Sequence, residues 1–293
     1  MLDPSPVPSP PWSFKGHGWI FFLSPQSASR SSPQPFVDHP GTNGPFLATG
    51  PGCLTLYRYT TSPFGPYDEI SFSPGWYPYL SPPSTSPYRS ARITKSYVSC
   101  GSRGIGHLRT ELGVPVEPAV FAWYAPPQSG ELIVNISKPD GQHVIELLLS
   151  QTSLSRFTVN SKSLLSDSID LGRWGSIVQP LLDGNTASIP RGLESTPLLE
   201  RAPLLKSWSS VTGEGAIVKM KRAVSNATLF PRIEDIGVAR WGIYLMNMDM
   251  VVHPAEVVLD VPSQQHARDQ GRSRGCIRVL SWINGLLFQK VGN

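Results

Sequence analysis

The sequence predicts a mainly β protein, an antiparallel sheet curled into a barrel or cone, with a few short helices. Three observations predict it. Only 16% of the residues are charged and 30 of 293 are proline, a composition that disfavours long surface helices and favours short strands joined by turns. Several runs alternate apolar and polar residues with the period of two that a half-buried strand requires. Clusters of Gly, Pro and Ser separate those runs, as turn chemistry demands.

Residues 1–12, "MLDPSPVPSPPW", form a proline-rich lead for which no regular structure is expected. "WIFFL" (19–23) reads as a strand and 24–46 as loop. "CLTLYRYTT" (53–61) alternates, "SPFGPY" is a turn and "DEISF" (68–72) resumes, the pattern of a hairpin. "YPYLSPPSTSP" is a proline-rich connection, and "SARITKSYVS" (90–99) keeps period two only roughly. Further strands are expected at 119–124, 131–137, 143–150 and 155–160. Residues 161–208, rich in Leu, Ser and Pro, read as a long excursion with short helical turns; 213–224 and 241–252 read as two closing strands. No internal repeat is present, so residues 13–260 are expected to form a single domain, followed by a basic tail at 261–293 that fits no strand pattern.

Charge location argues against nucleic acid. The net charge is +4, but residues 261–293 carry Arg268, Arg272, Arg274, Arg278 and Lys290 against Asp269 alone. The body is therefore neutral and lacks the basic stripe that phosphate binding needs. Three widely spaced cysteines without a CxxC suggest neither a disulfide framework nor a zinc site, and a reducing compartment. No apolar run reaches the roughly 20 residues of a membrane span, and the N-terminus lacks a secretory pattern. The expectation is a cytoplasmic protein without metal or cofactor, with homo-oligomerisation left open.

"YVSCGSRGIGHLRTELGVP" (97–115) invites a dinucleotide-binding reading and resembles, in wording, the glycine loop of short-chain dehydrogenases. The surroundings do not support it. The preceding segment carries Arg92, Lys95 and Ser96, whereas a central parallel strand is a nearly continuous apolar run. The following helix has room for about six residues before Gly113 and Pro115 end it. Residues 120–126 supply no acid for a ribose, and none of the eight lysines follows a tyrosine by four. The glycines read instead as a tight turn between a strand and a short helix.

Three segments in order, "YRYTTSPFGPYDEISFSPG" (57–75), "ARITKSYVSCGSRG" (91–104) and "LRTELGVPVEPAVFAWY" (108–124), resemble the acetoacetate decarboxylase-like superfamily, in particular its branch in plants and fungi. The resemblance implies an antiparallel β cone around a buried small-molecule cavity. In true decarboxylases a lysine pair precedes an "LGYP"-like turn, and the first lysine forms a Schiff base with the β-keto acid. Aligned on "LGVP", the pair falls on Thr110 and Glu111; an alcohol cannot form an imine, so the resemblance implies non-imine chemistry at this position.

The same alignment places Glu69 on an active-site glutamate, with Tyr67 on its strand face and Asp68 on the other. The family's second acid falls on Leu54. Arg109 matches the branch's arginine and would bind a carboxylate or enolate. Thr110 and Glu111 would line the cavity, Lys15 stands roughly where decarboxylases place a cavity arginine, and Lys95 is an alternative amine. The plain alternatives are a hairpin-pairing carboxylate for Glu69, a structural ion pair for Arg109, a solvent-facing Lys95 and an exposed loop position for His107. The function expected is a tailoring enzyme for a secondary-metabolite, isoprenoid or polyketide-type molecule, by isomerisation, cyclisation or lyase chemistry. A non-catalytic binding barrel and a decarboxylase with a relocated lysine are the alternatives.

Overall fold

A computed structural model describes residues 9–23, 52–80, 88–127, 129–151, 156–160, 176–180, 203–233 and 238–260. The expected loop at 24–46, the tail at 261–293, and most of the lead and of the 161–208 excursion lie outside these residues.

The strands are β1 (Trp12–Leu23), β2 (Cys53–Thr61), β3 (Tyr67–Ser73), β4 (Trp76–Leu80), β5 (Tyr88–Ala91) and β6 (Lys95–Val98). Helix α1 (Ser102–Leu112) follows, then β7 (Val116–Pro118), β8 (Val120–Tyr124), β9 (Glu131–Ser137), β10 (His143–Gln151) and β11 (Phe157–Asn160). The chain closes with β12 (Ser176–Pro180), β13 (Pro203–Ser225), β14 (Val238–Val252) and β15 (Glu256–Asp260).

The main sheet runs β9–β10–β13–β14–β1–β2–β3–β6–β7. It curls until β8, separated from β7 only by Ala119, pairs with β9. Inside this curl lies one apolar core that includes Phe21, Leu54, Leu56, Ile70, Phe72, Val134, Ile136 and Leu147, all fully buried. The first six residues of β13 leave that sheet and pair with β12 and β15, and β4 and β5 complete a smaller sheet. A second cluster packs on the opposite face of β1, β2, β3 and β14, joined by Leu108 and Leu112 of α1 and by Ile177 of β12. The expected mainly β, curled antiparallel architecture is therefore the one observed.

Several details differ from the sequence reading, among them β4 within the expected proline-rich connection and β1 starting at Trp12 rather than Trp19. The strands at 213–224 and 241–252 are longer and central rather than closing, since β13 and β14 pair along most of their lengths beside β1. Residues 176–180 and 203–208, assigned to an excursion with helical turns, are strands. The glycine segment is not a turn: Gly104 and Gly106 lie inside the 11-residue α1, which reaches Gly113. Tertiary packing overrides glycine's poor helix propensity here. A Cβ on Gly104 would come within 2.9 Å of Cys100 Sγ and 3.2 Å of the Phe64 Cβ, so only glycine lets the helix dock this closely. Gly113 takes the left-handed conformation (φ 67°) and stops the helix, with its amide on Arg109 O and that of Val114 on Leu108 O.

The two helical glycines should respond with opposite sign. Gly106 is exposed and open around its Cα, so Gly106→Ala is expected to stabilise by about 0.5–1 kcal/mol. Gly104→Ala gains the same propensity but forces Cys100 or Phe64 to move, and is expected to lower the denaturation midpoint.

Candidate functional site

Glu69 sits at the middle of a polar stripe on the face of β3 that looks away from the main core. Strand register builds the stripe row by row. Across the sheet, Leu245, Gly18, Tyr57, Glu69 and Val98 are successive partners. One row along, Ile243, Ile20, Thr55, Ser71 and Ser96 are partners in the same order. On the other side Gly16, Tyr59 and Tyr67 form the third row, with Met248 beyond Gly16.

The main sheet bends at this level. Register shifts fall between Gly16 and Gly18 on β1 and between Thr212 and Glu214 on β13. Between them Asn247 of β14 takes a positive φ of 49°, a conformation that asparagine tolerates better than most residues. Gly18 makes room for an aromatic ring, because a Cβ there would stand 2.8 Å from Tyr57 Cε1. Glu69 and Tyr57 are surrounded by protein, yet each keeps some accessible surface. The residues around them on this face form the second apolar cluster.

Ser71 Oγ lies 2.7 Å from Glu69 Oε1 and 2.9 Å from the Oγ of Ser96, which is fully buried. A hydroxyl has one proton to give, so when Ser71 donates to the carboxylate, Ser96 donates to Ser71. Tyr67 OH is 3.5 Å from Oε2, a much weaker contact. Oε1 is thus the more firmly held oxygen and Oε2 the less restrained one. Burial pushes the Glu69 carboxyl above its ordinary value, opposed only by the Ser71 and Tyr67 hydrogen bonds; no cation offsets it. Burial and the neighbouring Glu69 also hold Tyr59 and Tyr67 protonated, and Tyr57 is held so by burial first, then by Cys53 and Glu69. The Cys100 thiol is pushed up to about 12, by burial and then by Glu69.

The other sequence-predicted residues are not gathered around Glu69. Arg109 is exposed, and its Nε and Nη2 donate to Val116 O at 3.0 and 2.6 Å, which ties the end of α1 to β7. Thr110 is exposed and its hydroxyl bonds back to Gly106 O at 3.0 Å; Glu111 is exposed as well. The face of α1 that packs inward carries Leu108 and Leu112 instead. Lys15 is 62% exposed, 3.9 Å from Asp249. Lys95 pairs with Glu117 at 2.7 Å and lies over the Tyr97 ring, on the side opposite Glu69. His107 stacks on Phe64. Leu54 is buried in the main core.

Asp68 faces the other way, as its place beside Glu69 demands. It accepts Trp123 Nε1 at 2.9 Å and lies 3.9 Å from Arg58, in a group where Trp19 stacks on Tyr244 and Tyr244 OH meets His17 Nδ1 at 3.1 Å. Sequence reasoning missed Ser71, Ser96, Tyr57 and Gly18. Ser71 was within reach, two residues from Glu69 on one strand; the other three come from β1, β2 and β6, and only the strand register places them there. Among the described residues no group of three His, Cys, Asp or Glu side chains could hold a metal ion, and no helix is long and apolar enough to cross a membrane.

These features define a β-cone architecture of the acetoacetate decarboxylase type. No protein-family model matches the chain and no curated protein is detectably similar in sequence. Solved structures do match. Acetoacetate decarboxylase from Legionella pneumophila subsp. pneumophila str. Philadelphia 1 superposes with a TM-score of 0.53 at 14% identity, over 88% of this chain and 93% of that one. A second acetoacetate decarboxylase structure gives a TM-score of 0.54 at 13% identity, over 89% of this chain and 96% of that one. At such identities the likeness establishes the shared fold.

Glu69 should leave a signature in stability. Its folded pKa lies above its ordinary value of 4.5, so the folded protein holds this proton more tightly than the unfolded chain and loses stability as pH rises from about that value through the folded pKa. Glu69→Gln removes that slope. Melting temperatures from pH 4 to 8 are expected to show the variant gaining on the wild type as pH rises, the reverse of a salt-bridged acid.

Proposed function

We propose that this chain is a small-molecule enzyme of acetoacetate decarboxylase-like type in which Glu69 is the general acid and base and no imine forms. The observation that carries the reading is the Glu69 carboxyl itself. It is surrounded by protein, oriented through one oxygen by Ser71, and burial raises its affinity for a proton. A carboxylic acid in that state protonates a carbonyl or enol oxygen and, once ionised, takes a proton from an adjacent carbon. Ser96 and Ser71 hold the spectator oxygen while Oε2 works. The reactions this supports are isomerisation, cyclisation or lyase chemistry on a secondary-metabolite, isoprenoid or polyketide-type molecule.

In this reading Arg109 fastens the helix end and does not touch substrate, and Thr110 replaces the amine of true decarboxylases with a hydroxyl turned to its own helix. Lys95 is committed to Glu117, which argues against a relocated imine. Borohydride treatment in the presence of a β-keto acid is expected to leave every lysine unmodified; an adduct by peptide mass spectrometry would restore the decarboxylase alternative.

A non-catalytic binding barrel is the second reading, favoured by the apolar character of the cluster around the stripe. Glu69→Gln separates the two. Introduced into the native host, it is expected to cause a precursor to accumulate at unchanged protein level, with turnover reduced at least about a hundredfold, the lower end of what an acid/base residue contributes. A metabolite profile identical to that of the wild type would favour binding alone.

A further inference from the structure

We infer that the Glu69 face receives an uncharged, largely hydrocarbon ligand that carries one carbonyl or hydroxyl oxygen at Glu69, and that it rejects anions. This rests on the reading of the Glu69 face as a ligand cavity, and it goes beyond that reading by fixing the charge of the guest.

The three rows of the stripe contain no Lys, Arg or His side chain. Their polar atoms are tyrosine, serine and threonine hydroxyls and one carboxyl. The covering elements add Ile93, Phe64, Ile105, Leu108, Leu112 and Ile177. Of the basic groups on the flanking segments, Arg109 bonds Val116 O, Lys95 pairs with Glu117, the buried Arg92 lies over the Tyr77 ring and His107 stacks on Phe64. Among the described residues no cation lowers the Glu69 carboxyl, so a carboxylate guest here would give up its water for an apolar wall and a glutamate. A carbonyl gives up little, and it gains a donor whenever Glu69 is protonated. The acids handled by decarboxylases of this fold are thus the wrong guests for this wall.

Isothermal titration of the intact chain with matched probes tests the inference: 2-nonanone against nonanoate at pH 8, with 2-heptanone and 2-undecanone bracketing the length. The ketone is expected to bind at least tenfold more tightly than the carboxylate. At pH 5, where the raised carboxyl keeps more of its proton, Glu69→Gln, which keeps a neutral donor, should hold ketone affinity within about threefold, and Glu69→Leu should lose about tenfold, the order of one buried hydrogen bond. Nonanoate binding should strengthen at least tenfold between pH 8 and pH 5 as the acid becomes neutral.

Nonanoate binding as tightly as the ketone at pH 8 would overturn the neutral-ligand inference while leaving Glu69 as acid and base. Ketone affinity unchanged in Glu69→Leu at pH 5 would overturn the placement of the oxygen. No binding by any ketone would overturn the cavity and the inference together. The acid/base role fails separately, through the metabolite profile of Glu69→Gln.

Discussion

One strand's backbone ties this fold together. β13 runs for 23 residues and its amides and carbonyls pair with β10, β11, β12, β14 and β15. A strand of that length must satisfy its polar groups along its whole course, and it does so by belonging to both sheets in turn. The smaller sheet is thereby held against the face of the larger one that carries Glu69. Ile177 reaches the cluster around the stripe because β12 lies on the first residues of β13.

The main sheet bends where the site is. At that level β1, β14 and β13 carry two register shifts and a positive-φ asparagine, and two glycines of β1 let β2 come close. The missing Cβ atoms let the Tyr57 ring lie against Gly18, in the row that also holds Glu69. The chemistry assigned to Glu69 thus depends on residues that have no chemistry of their own.

The sequence made the strands legible wherever period two was clean, as in 53–61, 131–137 and 143–150, because one face of each strand is buried and the other is not. It was opaque where burial comes from elements distant in the chain. Nothing local announces that 203–208 is the start of a long strand, or that Gly104 is a docking surface rather than a turn. The site divided in the same way. Glu69 and Tyr67 are neighbours on one strand, so alternation placed them together. Arg109, Thr110 and Glu111 looked promising as consecutive letters, but which face of α1 meets the protein is decided by Leu108, Leu112 and Gly104. Ser96 and Gly18 entered only once strand register was known.

Asp68 and Glu69 show what a single residue of sequence is worth in this architecture. They are adjacent acids on one strand, and the pleat sends one to the Trp123 and Arg58 group and the other to the Ser71 stripe. The turn that sets this choice is residues 62–66, closed by Gly65 N on Ser62 O. What holds the choice is the core. Ile70 and Phe72, fully buried on the Asp68 face, would have to leave it if the strand turned over. The same burial that shapes the sheet therefore also fixes which acid meets which side.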